Sequence, residues 1–467
     1  MVIKDHKIII LGRMPMRAGN FIRKTEIIKK NIFKIWIPGI LFLLTFPSFS
    51  AIQPTEKEIA DSYLYLLGRY LVIRQENQDV NIEKINYNKI KYNTPGLTEF
   101  ANPNLDVVYL ESWVAVDKNN GVILNIPEIK DRYYTVQLLD GWGEVVANIN
   151  ERTYPEHPYG KFAIVLKGSN PKNVPKDVQK VEVPFNKVKM LARVELKGTP
   201  DEAVKLQKKF TLEAPAGIKI DPVVNIPDFS NSKLIGSDIF LKVDEVLKSY
   251  PDSMPKAPEY QKTVKKVSDY MASSTEAKKY IKNIIETKTI PEFLKKVRSF
   301  GTEKDGWVVT YGAGNFGNDT VLRDIVNYSG IWANTTDEAI YFGGMRDVET
   351  NQLLNGSNTY KIVFPKESLP DSMTDAFWSI TLNNTPDYHV AKNTLNKYNI
   401  NNLTKLNKDR DGSMTVWIGP ELPKGAQQEN WLPTEKGREF ILTFRFYVPK
   451  ETVKDGVWFP PAIHKVK

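Results

Sequence analysis

Apolar positions fall into two periods along the chain. Near the start of the folded part, Ile59, Tyr63, Leu66, Leu67 and Tyr70 recur at three- and four-residue spacing and predict a helix with one face turned to a core. Thr55 and Glu58 stand before it as a Thr-x-x-Glu capping box, in which each side chain satisfies an orphan amide of the first turn. Between 100 and 195 the period shortens. Val107 to Val116, Gly121 to Pro127, Arg132 to Asp140, Phe162 to Leu166 and Lys189 to Val194 read as strands, the third closed by the turn dipeptide Asp140-Gly141. Strands this short and this regularly spaced predict an antiparallel β-sandwich. A short helix, Pro200 to Leu212, closes the region.

Pro215, Pro222 and Pro227 then mark a linker. Residues 236–300 are lysine-rich and return to the helical period in Ile239 to Tyr250, Tyr260 to Met271, Thr275 to Glu286 and Pro291 to Phe300. From Gly301 the strand pattern resumes. Thr320 to Ala333 and Thr336 to Phe342 read as helical interruptions, and Tyr360 to Phe364, Ala376 to Leu382, Ser413 to Ile418 and Phe440 to Val448 read as strands of a second sandwich of the jelly-roll kind. The expected class is mainly β with a helical insert. Its expected parts are a leader (1–50), a β-sandwich (51–212), a linker and helical domain (213–300) and a second sandwich (301–467).

Length and charge refine this picture. A chain of 467 residues exceeds one ordinary core. The net charge of +9 is concentrated at the start: nine Lys/Arg against two acids in residues 1–50 make +7, and +9 less +7 leaves only +2 for the rest. No basic stripe with interleaved aromatics follows, so nucleic acid is not an expected partner. Lys29, Lys30 and Lys34 precede the apolar run Ile35 to Phe46, and Ser48 and Ser50 suit cleavage after Ser50. That is an export signal. A run of about a dozen residues is short for ~30 Å of hydrocarbon, so no stable transmembrane span is expected after processing. An uncleaved N-terminal anchor is the alternative. The absence of cysteine excludes a lipoprotein anchor, disulfides and thiolate chemistry. The expected location is the periplasm or outside the cell.

Candidate chemistry is sparse. His6, His157, His389 and His464 include no pair at metal-ligand spacing. Of these, His389, beside Asp387 and Tyr388, reads as a surface or structural residue, with acid–base work as the alternative. Gly312-Ala313-Gly314-Asn315-Phe316-Gly317 matches a dinucleotide fingerprint by letter, but no βαβ pattern surrounds it. Carboxylates are better candidates. Asn102-Pro103-Asn104-Leu105-Asp106 puts two amides and an acid in one turn before a strand, a set that can hold a hard cation such as calcium, hydrogen-bond a sugar, or serve as an Asx-type turn. Arg132, in Asp131-Arg132-Tyr133-Tyr134, can clamp a carboxylate or phosphate, or pair locally at the start of its strand. Asp319 and Arg323 are four apart on one helix face and are expected to pair. Asp409-Arg410-Asp411-Gly412 lacks the later ligands of a calcium loop and reads as a hairpin turn. No organic cofactor and no metal ligand set is expected.

Two resemblances cover most of the chain after the leader. Pro103, Asn104, Asp106 and Tyr109, then Asp131-Arg132-Tyr133-Tyr134 and Gln137-Leu138-Leu139-Asp140, resemble the bacterial domain of unknown function 1254, with Val107 where threonine is usual. Leu354-Asn355-Gly356, Ala376-Phe377-Trp378-Ser379, Asn430-Trp431-Leu432-Pro433, Arg445-Phe446-Tyr447 and Gly456-x-Trp458-x-Pro460-Pro461 resemble domain of unknown function 1214. The resemblance implies an exported protein with an immunoglobulin-like N-terminal sandwich, a helical middle and a jelly-roll-like C-terminal sandwich. It implies no settled activity. The aromatic block near the C-terminus, Arg445 included, is expected in core and turns.

Two function classes remain open. One is a binding protein for a small molecule, carbohydrate or amphiphile of the envelope, in a cleft between domains, with a homo-oligomer left open. The other is a hydrolase or lyase. Asp106, Arg132, Asp319 and Arg323 are the catalytic candidates. Asn102, Asn104, Tyr109, Tyr134 and Asp140 are the ligand-binding candidates. Convergence of Asp106, Arg132 and Asp140 with a C-terminal residue in one hollow would favour a site; scattered and each paired locally, they would favour a structural role.

Overall fold

The computed structural model describes residues 52–96 and 103–466; the expected leader, residues 1–50, and the ligand candidate Asn102 lie outside the described residues. Helix α1 (Glu56–Asn77) begins at Thr55, whose side chain and that of Glu58 form the expected capping box. The five apolar positions on the expected face are buried, but so are Tyr65, Arg69, Leu71, Val72 and Ile73. A helix covered on nearly all sides is a core element, not a surface helix.

The first β region has strands β1 (Lys91–Tyr92), β2 (Val107–Ala115), β3 (Val122–Ile126), β4 (Tyr134–Leu139), β5 (Val145–Ile149), β6 (Gly160–Leu166), β7 (Gln179–Val183), β8 (Lys187–Glu195) and β9 (Thr211–Glu213). They form a five-stranded sheet, β1-β2-β8-β4-β5, and a four-stranded sheet, β7-β6-β3-β9. The two sheets share one core: Val108, Leu110, Val136, Met190 and Ala192 of the first meet Leu124, Phe162, Ile164 and Val183 of the second. The expected helix 200–212 is shorter, α2 (Pro200–Gln207), and its last residues join the second sheet as β9. The pairing of β6 with β7 is parallel, a departure from the all-antiparallel expectation.

Helices α3 (Val243–Ser249), α4 (Ala257–Ser273), α5 (Thr275–Ile284) and α6 (Ile290–Ser299) follow the predicted helical segments. Val246, Val264, Val267, Ile281 and Phe293 pack with Leu66, Leu67 and Tyr70 of α1. After β10 (Thr302–Lys304) and β11 (Trp307–Val309), α7 (Thr320–Ser329) adds Ile325 to the same helical core. Helix and strand are therefore nearly equal, about 27% and 26%, and the chain is mixed and not mainly β. The helical core draws α1 and α7 from outside the predicted insert, which a linear reading counts as isolated helices.

The last strands are β12 (Ala339–Gly344), β13 (Tyr360–Phe364), β14 (Thr374–Asn384), β15 (Asn399–Asn401), β16 (Met414–Gly419), β17 (Trp431–Pro433), β18 (Phe440–Pro449) and β19 (His464–Lys465), with α8 (Glu451–Lys454) between the last two. A six-stranded sheet, β10-β11-β12-β18-β14-β15, and a four-stranded sheet, β17-β16-β13-β19, share Phe342, Trp378, Phe444 and Phe446 against Ile362, Phe364, Val416 and Ile418. The helix expected over 336–342 is instead β12. Ile340 and Phe342 enter this core while Ala339 and Tyr341 turn the other way, a two-residue period that outweighs the helical reading.

One face of the five-stranded sheet meets one face of the six-stranded sheet. All of β8 is buried: Val188, Met190, Ala192 and Val194 enter the first shared core, and Lys187, Lys189, Leu191, Arg193 and Glu195 alternate with them on the opposite face. In β18, Thr443, Arg445 and Tyr447 alternate with the core residues Leu442, Phe444 and Phe446. Val107, Tyr133, Ala339, Phe377 and Tyr447 pack across the junction, with Phe377 and Tyr447 stacked at 4.3 Å between ring centres.

Candidate functional site

Strand register sets two polar rows on these meeting faces. In the five-stranded sheet Tyr109 lies opposite Arg193, and Arg193 opposite Thr135. In the six-stranded sheet the row is Tyr341, Arg445, Ser379 and Asn401. Asp106 reaches between the sheets from the residue before β2. Its amide donates to Asn104 Oδ1 at 2.9 Å, the expected Asx-type turn, and Asn104 Nδ2 donates to the Tyr447 hydroxyl. Carboxylate Oδ1 of Asp106 accepts from Asn399 Nδ2 at 2.9 Å and Asn401 Nδ2 at 2.8 Å. Burial pushes its pKa up; Ser379, the two asparagine amides and the Arg445 guanidinium only partly offset this. Ser379 is near enough to act on the carboxyl, yet neither Asp106 Oδ2 nor Ser379 Oγ completes a hydrogen bond.

Asp106 lines a pocket of about 280 Å³ with Lys197, Phe377, Asn399, Asn401 and Thr404. Glu195, Lys197 and Asn402 also line an adjoining hollow of about 780 Å³, where Arg132, Tyr133 and Arg152 stand. Both parts of the chain build each hollow.

Deeper between the sheets, Arg193 is 4% exposed. Its Nη1 donates to Gln137 Oε1 at 2.6 Å and Asn334 Oδ1 at 3.2 Å, and its Nη2 to the Trp332 carbonyl at 3.2 Å. Its Nε has no partner. The guanidinium lies 5.4 Å from the centre of the Tyr109 ring. Arg445, expected in core or turn, faces the same layer; its Nη1 donates to Thr381 Oγ1 at 2.8 Å and its Nη2 to the Pro103 carbonyl at 3.2 Å.

The other candidates are elsewhere. Arg132 Nη1 donates to the carbonyls of Glu195 and Leu196, both at 2.6 Å, and its Nη2 to Thr199 Oγ1, so its fork ties β8 to the start of α2. Tyr134 has its ring in the first shared core and donates its hydroxyl to the Pro158 carbonyl. Asp140 Oδ1 accepts from the amides of Trp142 and Glu144 and closes its own turn; burial pushes its pKa up to about 6. Asp319 caps α7 through the Leu322 amide. The expected Asp319–Arg323 pair is replaced by a buried pair of Arg323 with Asp252 at 3.0 Å, the guanidinium lying 4.6 Å from the Trp142 ring centre. Local spacing loses here to a partner brought in from the stretch after α3. Thus Asp106 and Asn104 share one turn, Tyr109 lies against Arg193, Arg132 borders the neighbouring hollow, and Asp140 and Arg323 belong to a separate buried cluster.

The Gly312–Gly317 stretch is a turn whose Gly314 carbonyl accepts from the Val145 amide. Asp409–Gly412 is a tight turn but not the expected hairpin, because β15 before it and β16 after it belong to different sheets. His389 lies half-exposed beside Asp387. Among the described residues no group of three or more histidine and acidic side chains is placed to hold a metal ion, and no helix is long and apolar enough to cross a membrane. Arg193, Arg445, Ser379, Asn399 and Asn401 escaped the sequence reading. Their one signal was a polar side chain at every second position of an otherwise apolar strand.

Comparison with known proteins places two family models on the chain. Residues 82–214 match "Protein of unknown function (DUF1254)" and residues 338–451 match "Protein of unknown function (DUF1214)". No curated protein matches. A crystal structure of a protein from Vibrio parahaemolyticus is similar with TM-score 0.65 and 20% identity, over 88% of this chain and 100% of that one. A putative uncharacterised protein from Burkholderia cenocepacia aligns over 88% of this chain and 93% of its own at 12% identity and TM-score 0.44. The first likeness is one of fold.

Proposed function

For a chain that carries a domain of unknown function 1254 followed by a domain of unknown function 1214, we propose the role of an exported small-molecule-binding protein. Its ligand is a hydroxyl-rich molecule, a carbohydrate fragment or the polar head of an amphiphile, held between the five- and six-stranded sheets. On this reading the two paired-sheet regions are an immunoglobulin-like and a jelly-roll-like sandwich, and the leader carries the chain to the periplasm or beyond. One observation carries the proposal: Asp106, buried and with Oδ2 unpartnered, on the wall of a pocket to which both domains contribute. A buried polar oxygen without a partner is costly, and a ligand hydroxyl satisfies it. Asn399, Asn401 and Thr404 supply further polar groups and Phe377 an apolar wall.

The hydrolase or lyase alternative draws on one feature, an acid of raised pKa beside the Ser379 hydroxyl. Of the four catalytic candidates only Asp106 lines this pocket, so binding is the better supported reading. The test is a thermal-shift screen of the mature chain with neutral mono- and disaccharides, with and without calcium, repeated on Asp106→Asn. A stabilisation that the substitution abolishes supports the site. A stabilisation it leaves untouched removes Asp106 from it.

A further inference from the structure

A buried cation ordinarily comes with a carboxylate, because an unpaired charge inside a protein loses its hydration without compensation. The buried cations of this chain mostly obey. Lys187 pairs with Glu76 at 2.7 Å, Lys189 with Asp79 and Glu111 at 2.7 Å, and Arg323 with Asp252 at 3.0 Å. Arg69 makes no direct pair, but Glu76 and Asp140 are among its main electrostatic neighbours. Around Arg193 the main neighbours are four tyrosines, Tyr109, Tyr341, Tyr447 and Tyr133, and among the described residues no carboxylate comes within ion-pair distance. Burial pushes the Tyr133 and Tyr447 hydroxyls well above their ordinary pKa, so these two supply dipoles and no opposing charge, and Tyr109 adds a ring face. Amide and carbonyl oxygens hold the two terminal nitrogens, and Nε, like that of Arg69 and Arg323, has no acceptor; what sets Arg193 apart is that it lacks both that acceptor and a nearby carboxylate.

We propose that Arg193 receives an oxyanion of the ligand, a carboxylate or phosphate, so that the site selects acidic over neutral hydroxylated molecules. This rests on the reading of the inter-sheet space as a ligand site and gives the ligand its charge. The route is short. Glu195 lines both hollows, and Arg193 is the next residue of β8 on the same face, about 7 Å deeper at the rise of a strand. Tyr133, one of the four tyrosines, lines the larger hollow. An anion there would accept the idle Nε–H and give the guanidinium its missing counter-charge.

The probes are glucose, glucuronate and glucose 6-phosphate, with acetate and inorganic phosphate as minimal anions, titrated into the mature chain at constant ionic strength set by sodium chloride. The readout is the melting temperature. The wild type is expected to half-saturate with the acidic sugars at tenfold lower concentration than with glucose. Arg193→Gln should erase that ratio, and Arg193→Lys, which keeps charge without the fork, should restore part of it. The two acidic sugars tell carboxylate from phosphate. Equal response of Arg193→Gln and wild type to the anions would overturn the proposal, as would a wild type indifferent to every anion. Should Arg193→Gln fail to fold by circular dichroism, the lysine variant decides: an unchanged ratio overturns the fork's role and a reduced one supports it. Asp106→Asn separates the two readings. If only acetate and phosphate act on the wild type, through Arg193, the anion site stands and the hydroxylated ligand falls.

Discussion

Lys189 and Arg193 sit four residues apart on the same face of the same strand, both buried and both cationic, and their surroundings are opposite. Lys189 lies under α1 and the segment that follows it, where Asp79 and Glu111 each meet its ammonium at 2.7 Å and Trp113 and Trp332 cover it. Arg193 lies under the six-stranded sheet and meets amides, a carbonyl and tyrosines. The first region is a closed ionic network that joins helix to sheet. The second retains unspent hydrogen-bonding capacity: Arg193 Nε, Asp106 Oδ2 and Ser379 Oγ are all buried without partners. The ionic network around Lys189 satisfies its own charged groups, and an incomplete buried layer that borders a hollow is where a ligand is expected.

Stability measurements can break this contrast. The largest effect is expected for Lys189→Met, which leaves Asp79 and Glu111 without their shared cation and should cost ~3–5 kcal/mol in urea unfolding. A cost no larger than that of Arg193→Gln would end the distinction between the two regions. Arg193→Gln strands no carboxylate and loses only part of its hydrogen bonding, so about 1–2 kcal/mol is expected by the same method.

A pH series sharpens the comparison from the opposite sign of charge, in the cluster around Arg323. Burial pushes Glu144 up to about 7 and Asp140 up to about 6. Acids whose folded pKa exceeds the unfolded one hold protons in the folded state that the unfolded chain has released, so their contribution to stability is present at low pH and falls as pH rises. Stability should therefore decline from about pH 4 toward 7 in this region, and Glu144→Gln should flatten the upper part of that decline; an identical slope in the variant would refute the assignment. The smallest effect belongs to Asp106→Asn. The new side chain still offers one oxygen to Asn399 and Asn401, so a change within about 1 kcal/mol is expected, with any neutral-sugar response lost. A much larger cost would identify Asp106 as a structural keystone and weaken the ligand reading.

Local chemistry was legible where it was self-contained. The Thr55–Glu58 box and the Asn104–Asp106 turn depend on neighbours within a few residues and formed as expected, and Asp409–Gly412 formed as a tight turn without becoming a hairpin. Strands with a clear two-residue period, such as Tyr360–Phe364, were found at their observed limits. Pairings over longer distances were not legible. Arg323 took Asp252 over Asp319, and Arg445 went to the polar layer and not to the aromatic core, because in both cases a distant segment supplied the partner. The helical reading of 336–342 failed because β12 lies between β11 and β18, whose pairing holds it extended.

By itself, then, the sequence determined which side chains alternate and where the chain turns and caps, because periodicity and short-range hydrogen bonding act within one element. It also carried the two domain resemblances. What covers the polar side of each strand was decided only by the tertiary structure. Lys187, Lys189 and Arg193 alternate along one strand, and burial by two different neighbours made the lysines an ionic joint and the arginine a cation without a counter-charge. The cost of a buried charge depends on the groups folded against it, and those come from distant parts of the chain, 56 residues away for Gln137 and 141 for Asn334 in the case of Arg193.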